Sequence, residues 1–231
     1  MRAVALVVLS ACVLVTACSR EAAPASTAPA PAATAAAPAS EPPAATRPRI
    51  VFLGDSLTAG LGVAPDQSFP ALLGQRLAKE GLNYEVVNAG VSGDTSAGGL
   101  RRLDWSLEGD VKVIVVALGA NDGLRGLSTA ELKKNLGAIL DKATARGVTV
   151  ILAGMEAPPN FGGDYTSDFR AVYRDLAKQY SVRFIPFLLA GVAGDATLNQ
   201  ADGIHPNVRG AQIVADLVWP ELQAVLPRPR S

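Results

Sequence analysis

Residues 49–62 read RIVFLGDSLTAGLG, a short apolar run that is followed at once by a glycine-rich turn. Its isoleucine, valine and phenylalanine predict a β-strand over residues 50–53. Ser56 comes directly after this strand, so we expect its hydroxyl at the rim of a sheet. Four more runs rich in β-branched or aromatic residues span 84–88, 111–118, 148–153 and 183–187.

Helical patterns fill the gaps between these predicted strands. They cover residues 69–80, 95–107, 129–146, 165–179 and 207–226. In the third pattern, Ser128 and Glu131 match a capping box, and Gly147 matches a C-terminal stop. Alternating strands and helices predict an α/β domain, a three-layer α/β/α sandwich around a mostly parallel sheet. About 178 residues from Arg49 onward form this one domain, without an internal repeat, and are enough for a sizeable core.

The first 17 residues predict a signal peptide. A basic residue precedes an apolar run over residues 3–15, which is too short to span a membrane. The tetrapeptide Val-Thr-Ala-Cys that ends at Cys18 resembles the bacterial lipoprotein box, in which cleavage before the cysteine leaves it lipidated. An ordinary cleavage site with an incidental cysteine is the alternative. Ser19, in place of an aspartate, is typical of lipoproteins that go to the outer membrane. We therefore expect an outer-membrane lipoprotein of the bacterial envelope that faces the periplasm, with a soluble periplasmic or secreted protein as the alternative.

Residues 18–48 predict a lipidated cysteine followed by a tether. From residue 19 to residue 48 there are 13 alanines and 7 prolines among 30 residues, with no aromatic residue and four charged ones. So little apolar bulk and so much proline favour an extended chain outside the core. The predicted organisation is a signal peptide (1–17), a lipidated tether (18–48) and a folded domain (49–231).

Composition excludes some classes of partner. Removal of the leader takes away Arg2, one of 21 basic residues, and leaves all 21 acidic residues, so the mature chain has a formal charge of −1. Balanced charge without a basic run argues against nucleic acid as a partner. Cys12 is lost with the leader, and the one remaining cysteine cannot form a disulfide within the chain. Nothing in the sequence indicates an obligate protein partner.

Polar residues cluster where the predicted strands end. They are Asp55 and Ser56 after the first strand, Ser92, Gly93 and Asp94 after the second, Asn121 and Asp122 after the third, and Asp202 with His205 before the last helix. Ligands of parallel α/β sheets bind at the carboxyl ends of the strands, where such loops converge. The pattern therefore predicts one site built from residues that are far apart in the chain.

His205 is the only histidine of the chain and stands in the run Asp202-Gly-Ile-His205-Pro206. Imidazole suits a general base near neutral pH, and Pro206 favours an extended residue before it and a helix after it. Asp202 can accept from one ring nitrogen and set the tautomer. The alternative is a turn aspartate and a surface histidine at a helix cap. One histidine and no cysteine in the folded domain do not supply the usual zinc ligands, so we predict no metal site and no cofactor.

Ser56 needs such a base, because a free hydroxyl is a weak nucleophile. It could instead satisfy backbone groups in a tight turn, or the turn could cradle a phosphate. The turn matches neither G-x-G-x-x-G nor G-x-x-x-x-G-K-[ST] and carries no lysine, which disfavours phosphate. No G-x-S-x-G occurs in the chain, so the nucleophile elbow of the α/β-hydrolases is absent.

Acyl transfer also needs hydrogen-bond donors aimed at the oxyanion that forms on the carbonyl group. Gly93 and Asn121 stand just beyond predicted strand ends. A glycine lets a backbone amide approach closely, and an asparagine side chain offers an uncharged donor. The plainer interpretation is a turn glycine and a loop asparagine.

Four blocks of the sequence strongly resemble those of the SGNH, or GDSL, hydrolases. They are GDSL at 54–57, NAGVSGDT at 88–95, GANDGLRG at 119–126 and DGIHPN at 202–207. The blocks occur in the family's order, and this highly specific resemblance covers residues 49–226. It is greatest to the bacterial branch called thioesterase I, lysophospholipase or arylesterase.

The resemblance implies a flavodoxin-like fold with a five-stranded parallel sheet. It also implies a catalytic triad of Ser56, Asp202 and His205, with Ser56 as the nucleophile. The implied oxyanion hole consists of the Ser56 amide, the Gly93 amide and the Asn121 side chain. Gly90 is a tempting alternative to Gly93, but the family's glycine is the one in the Ser-Gly-Asp step.

By resemblance, the chain is expected to be a serine esterase that acts on small or lipid acyl esters. The resemblance implies that aryl esters, acyl thioesters or lysophospholipids are hydrolysed through an acyl-enzyme on Ser56. A carbohydrate O-acetylesterase on the same framework is one alternative, because the four blocks specify acyl transfer and not the alcohol. A non-catalytic envelope binding lipoprotein is the other. The segment 155–163 resembles a loop that borders the acyl pocket in relatives, and Glu156 there predicts poorer handling of long acyl chains unless it points to water.

Overall fold

A single parallel β-sheet forms the centre of the computed structural model, which describes residues 47–227. Its strands are β1 (Arg49–Gly54), β2 (Glu85–Gly90), β3 (Val111–Ala117), β4 (Thr149–Ala153) and β5 (Arg183–Ile185). They lie in the order β2-β1-β3-β4-β5, and every neighbouring pair is parallel. This is the flavodoxin-like order, in which the direction of winding reverses between β1 and β3. The five predicted strands and the predicted fold class are confirmed.

Helices cover both faces of the sheet. They are α1 (Ser56–Ala59), α2 (Phe69–Lys79), α3 (Ser96–Arg101), α4 (Leu103–Ser106), α5 (Ala120–Leu124), α6 (Thr129–Ala145), α7 (Gly163–Tyr180) and α8 (Val208–Gln223). Short 3₁₀ turns lie at Pro65–Gln67 and Pro159–Phe161. Helix α2 packs against α8, whereas α6 packs against both α3 and α7. Right-handed crossovers in this strand order place these two groups on opposite faces, which gives the three layers.

The core is centred on the strands, which are buried on both faces as a parallel sheet requires. In β1, the four residues from Ile50 to Leu53 are each at most 1% exposed. Phe52 meets Phe69 of α2 edge to face, with ring centroids 5.6 Å apart. This continuous burial explains why β1 is an uninterrupted apolar run, and it delivers Ser56 to the carboxyl edge of the sheet.

Two helix predictions need correction. The single helix predicted over residues 95–107 is two helices, α3 and α4, because the backbone of Arg102 lies outside the helical range at φ −103° and ψ 6°. Ser128 does cap α6, accepting from the Glu131 amide at 3.4 Å, but the Glu131 carboxylate lies 3.5 Å from Lys134. The contacts of α6 therefore include only the first half of a capping box. Gly147 follows the helix end with φ 71°, as expected.

Within residues 47–227, no helix is both long and apolar enough to cross a membrane. The predicted signal peptide, Cys18 and nearly all of the predicted tether lie outside the described residues.

Candidate active site

Ser56 is the first residue of α1, immediately after the carboxyl end of β1. Asp55 caps this short helix, because its Oδ1 accepts from the Leu57 amide at 3.0 Å. Gly54 makes the turn possible, since a Cβ there would collide with the Thr58 hydroxyl and lie 2.9 Å from the Ala117 carbonyl. The turn therefore holds Ser56 at the rim of the sheet, as the sequence predicts.

His205 lies on a loop before α8 and reaches Ser56 across 149 positions of the chain. Its Nε2 is 2.9 Å from Ser56 Oγ, and its Nδ1 is 2.7 Å from Asp202 Oδ2. The other oxygen of Asp202 accepts from the amides of Ile204 and His205 at 3.0 Å each. The backbone amide of Gln200 donates to the His205 carbonyl at 2.8 Å, and this bond closes the loop between the two residues. The structure thus brings together the three residues of the predicted triad.

The carboxylate of Asp202 is held in its ionised form. Hydrogen bonds from the His205 amide, the His205 ring and the Ile204 amide lower its pKa from 3.8 to about 2. All three donors favour the charged form. An ionised Asp202 can therefore hold a proton on Nδ1 of His205, which leaves Nε2 free to accept from Ser56.

The carboxylate of Asp55 is in the opposite situation. Asp55 is 1% exposed, and burial raises its pKa to about 6 although the Leu57 amide bond opposes the shift. Its Oδ2 lies 3.4 Å from Nδ2 of Asn121. The sequence pattern predicts Asp55 only as a polar residue at a strand end, because nothing local shows how deeply a turn residue is buried.

The two predicted oxyanion donors lie beyond the ends of β2 and β3 and line the cleft that contains Ser56. Gly93 has φ 84°, a left-handed conformation that favours glycine. Asn121 is in α5, beyond the end of β3, and its Nδ2 donates to the Asp94 carbonyl at 2.9 Å. Gly93 and Asn121 both line the same cleft as Ser56 and His205.

Gly90, the other candidate glycine, has a packing role instead. It is the last residue of β2, and a Cβ on it would collide with the backbone of Ala59 in α1. Gly90 is therefore needed for close approach between β2 and α1, and it is not among the residues that line the cleft.

A buried network that sequence analysis did not identify supports Asn121. Asp122 is 3% exposed and accepts from the Ser96 amide at 2.8 Å and from the Ser96 hydroxyl at 2.6 Å. Asn135 of α6 donates to the same hydroxyl at 3.1 Å. This network joins the start of α3 to α5, so that the loops of Gly93 and Asn121 are connected through the core. The only sequence signal was the polar pair Asn121-Asp122 beyond a strand end.

The cleft beside Ser56 has a volume of about 500 Å³ and mostly apolar walls. Its apolar lining includes Leu57, Leu61, Leu124, Met155, Phe187 and Ile204. Leu61, Leu124 and Ile204 are 46–47% exposed, so the mouth of the cleft is apolar as well. An apolar chain attached to a group at Ser56 would find room and compatible walls here.

Glu156 is the acidic residue of this cleft. Its carboxylate forms a bidentate ion pair with Arg170 of α7, in which Nε donates to Oε1 at 2.7 Å and Nη2 donates to Oε2 at 2.6 Å. The Glu156 side chain is 30% exposed. The ion pair raises the pKa of Arg170 above its ordinary value. Glu156 therefore neither points freely to water nor projects unpaired into the acyl space.

Comparison with known proteins gives a consistent set of similarities. The GDSL-like lipase/acylhydrolase family model matches residues 52–213. The esterase TesA of Pseudomonas aeruginosa is 46% identical over 178 residues, which is 77% of this chain and 89% of that protein. Thioesterase 1/protease 1/lysophospholipase L1 of Escherichia coli K12 is 36% identical, across 79% of this chain and 87% of that protein.

A solved structure agrees with the sequence comparisons. The crystal structure of a TesA protein superposes with a TM-score of 0.74 at 45% identity. The match covers 77% of this chain and 99% of that one.

Proposed function

This chain belongs to the GDSL-like lipase/acylhydrolase family and is a serine esterase, and from that premise we propose that Ser56 carries the acyl group during turnover. The observation behind the proposal is the continuous chain of hydrogen bonds from Asp202 through His205 to Ser56, at 2.7 and 2.9 Å. The 2.9 Å separation suits proton transfer from Ser56 to His205, and the 2.7 Å bond lets Asp202 orient the ring and stabilise the imidazolium.

In the proposed reaction, Ser56 Oγ attacks the ester carbonyl while its proton passes to Nε2 of His205. Asp202 stabilises the resulting imidazolium through Nδ1. When the tetrahedral intermediate collapses, His205 returns the proton to the leaving alcohol or thiol, and an acyl-enzyme remains. Water then attacks the acyl-enzyme by the same steps in reverse, releasing the carboxylic acid and restoring the Ser56 hydroxyl.

We assign the oxyanion hole to the Ser56 amide, the Gly93 amide and the Asn121 side chain. The Asn121 amide group has two N–H bonds. One donates to the Asp94 carbonyl at 2.9 Å, and the other makes only a long contact of 3.4 Å to Asp55 Oδ2, which the oxyanion would replace. Donors fixed in this way stabilise charge that develops in the transition state without having to reorganise.

The substrate class follows from the cleft as well as from the family. Walls that are apolar to the mouth favour esters with an acyl chain or an aryl group, including thioesters and lysophospholipids. A carbohydrate O-acetylesterase would use little of this space. A panel of nitrophenyl esters from acetyl to dodecanoyl, run beside an acetylated sugar, separates these activities.

The proposed nucleophile is tested with a fluorophosphonate, which reacts with an activated serine. We expect loss of esterase activity together with the mass of one adduct on the peptide that contains Ser56. Ser92 also lines the cleft and serves as the matched control, so Ser92→Ala should still be labelled and Ser56→Ala should not. Labelling of Ser56→Ala, or full activity in it, contradicts the assignment.

We further propose that residues 1–17 are a signal peptide and that Cys18 is lipidated, which would anchor the folded domain to the envelope through residues 19–48. The Val-Thr-Ala-Cys box after a short apolar run supports this proposal. Two or more acyl chains make such anchoring stable, whereas one is marginal. Cys18→Ser should abolish lipid attachment, measured by mass spectrometry of the N-terminal peptide, and a chain that starts at Arg49 should be soluble and keep its turnover on short esters. A wild-type protein that is soluble and carries no lipid would contradict the proposal.

A further inference from the structure

Arg102 lies between α3 and α4 and directs its guanidinium toward the carboxyl edge of the sheet. Its Nε donates to Asp94 Oδ2 at 2.6 Å, its Nη1 to the Ala89 carbonyl at 2.7 Å, and its Nη2 to the Gly54 carbonyl at 2.7 Å. The side chain is 18% exposed. One guanidinium therefore makes three short hydrogen bonds to three different segments.

Each of those segments belongs to the active site or leads directly to it. Gly54 ends β1, two residues before Ser56. Ala89 is near the end of β2. Asp94 follows Gly93, and its own carbonyl accepts from Asn121 at 2.9 Å. Arg102 thus joins the Ser56 turn to the loop that carries Gly93 and contacts Asn121.

The surroundings are shaped for this contact. Gly98 of α3 lies against the Asp94 carboxylate, where any Cβ would collide with it. The helix breaks at Arg102 itself, where ψ is 6°. Only arginine offers a planar fork of five N–H donors that can serve a carboxylate and two carbonyl groups at once, whereas lysine presents one compact ammonium.

We propose that Arg102 is a positioning residue for the oxyanion hole: it sets the distance between Ser56 and the donors Gly93 and Asn121. This inference rests on the proposed roles of those three residues. A half-buried arginine that bonds three segments also contributes to stability. The two roles differ in what they change, because a positioning role alters transition-state binding in protein that is still folded.

The central experiment compares Arg102→Gln with Arg101→Gln. Arg101 is the preceding residue, is exposed, and loses the same charge, so it controls for electrostatics. A displacement of about 1 Å in a catalytic group costs on the order of 10²-fold in rate. We therefore expect kcat of Arg102→Gln on nitrophenyl butyrate to fall about 10²-fold, with KM changed by less than about threefold. Arg101→Gln should match the wild type.

A second readout follows the oxyanion directly. A trifluoromethyl ketone of matched chain length forms a tetrahedral adduct with the serine, and its oxyanion needs the same donors. Its inhibition constant should rise in proportion to the loss of kcat in Arg102→Gln, because transition-state analogues share the interactions made only at the transition state. A stability defect alone would leave the inhibition constant of the folded fraction unchanged.

Arg102→Lys covers the case in which Arg102→Gln does not fold. It keeps a cation beside Asp94 but cannot reach both carbonyl groups, so we expect an intermediate loss of kcat and of ketone affinity. The thermal midpoint of each variant is measured beforehand, and the assays are run well below it. The inference would be overturned by wild-type kcat and wild-type ketone affinity in Arg102→Lys. This holds whether or not Arg102→Gln folds, and whatever its kcat is.

Asn121→Ala separates this inference from the proposed function. If it keeps both wild-type turnover and ketone affinity, the proposed oxyanion hole is wrong and the role of Arg102 is wrong with it. If it loses both while folded Arg102 variants keep both, only the positioning role is wrong.

Discussion

The loop of the catalytic base and the segments of the oxyanion donors line one cleft but are held by different contacts. The base loop, residues 199–206, carries His205. The oxyanion loops are the two segments that carry Gly93 and Asn121, residues 91–96 and 119–122. In the base loop, Asp202 bonds residues two and three positions away, on an exposed segment. In the oxyanion loops, the bonds of Asn121 and Asp122 span 26 to 66 positions and are largely buried. Local bonds orient the base, whereas the packed core positions the donors.

The carboxylate of the triad and the carboxylate next to Ser56 show the same difference. Asp202 is 44% exposed in its side chain, and local amide donors lower its pKa to about 2. Asp55 is 1% exposed, and burial raises its pKa to about 6. Local donors favour the ionised form of the exposed Asp202, whereas burial beneath the turn favours the protonated form of Asp55. Substitutions in the base loop should therefore lower the thermal midpoint less than substitutions in the oxyanion loops.

The largest effect is expected in the base loop. Asp202→Asn should lower kcat by up to about 10⁴-fold, because the neutral amide no longer selects the tautomer of His205 that accepts from Ser56. The thermal midpoint should change little, since Asp202 is exposed and Asn can still accept from the two backbone amides. Steady-state kinetics and a thermal melt measure both quantities. A rate near that of the wild type would assign Asp202 to loop structure alone.

Asn121→Ala tests the oxyanion loops. Removal of one oxyanion donor costs about 10²–10³-fold in kcat. Because Asn121 also bonds the Asp94 carbonyl, we expect a lower thermal midpoint as well, in contrast to Asp202→Asn. Asn135→Ala, which removes a bond of the supporting network outside the cleft, is the matched control for stability. If it lowers kcat as much as Asn121→Ala does, the loss reflects packing and not a donor.

The pH dependence of stability should separate the two carboxylates. The pKa of Asp55 is raised from 3.8 to about 6, so between these pH values the folded protein keeps a proton that the unfolded chain releases. Its contribution to stability is full below about pH 4 and is lost as the pH rises toward 6. From pH 4 to pH 7, the free energy of unfolding of Asp55→Asn should rise relative to the wild type by about 2 kcal/mol.

Asp202→Asn provides the contrast. The pKa of Asp202 is lowered to about 2, so its contribution to stability is present above about pH 4 and is lost only as the pH falls toward 2. The free energy of unfolding of Asp202→Asn, relative to that of the wild type, should therefore stay constant between pH 4 and pH 7. Denaturant titrations across this range measure both variants. Parallel curves for Asp55→Asn and the wild type would show that burial does not hold the proton on Asp55.

The smallest effect concerns the wall of the cleft. Glu156→Leu removes a carboxylate from an apolar lining, so the ratio of kcat/KM for dodecanoyl over butyryl nitrophenyl ester should rise about fourfold, near the value of one buried methylene. Loss of the exposed ion pair with Arg170 should cost little stability. Glu131→Leu, the same change at an exposed position of α6, is the control. An unchanged ratio would mean that acyl chains bind elsewhere in the cleft.

Much of the fold was predictable from the sequence because its signals are local. The apolar runs of β1 to β5 and the long amphipathic helices α2, α6, α7 and α8 have periodic patterns, and all appear near the predicted positions. The two short helices α1 and α5 were not predicted, since four or five residues are too few for a period. The break at Arg102 was also not predicted, because it depends on a side chain that bonds residues up to 48 positions away.

By itself, the sequence determined the alternation of strands and helices, the single histidine that can act as base, and the position of Ser56 after β1, since each is set by residue type and near neighbours. Only the tertiary structure decided that Gly93 and not Gly90 lines the cleft, that Asp55 is buried, and that Arg102 joins the Ser56 turn to the oxyanion loops. Those outcomes depend on burial and on contacts between distant segments. A residue pattern does not contain them until the sheet has brought its strand ends together.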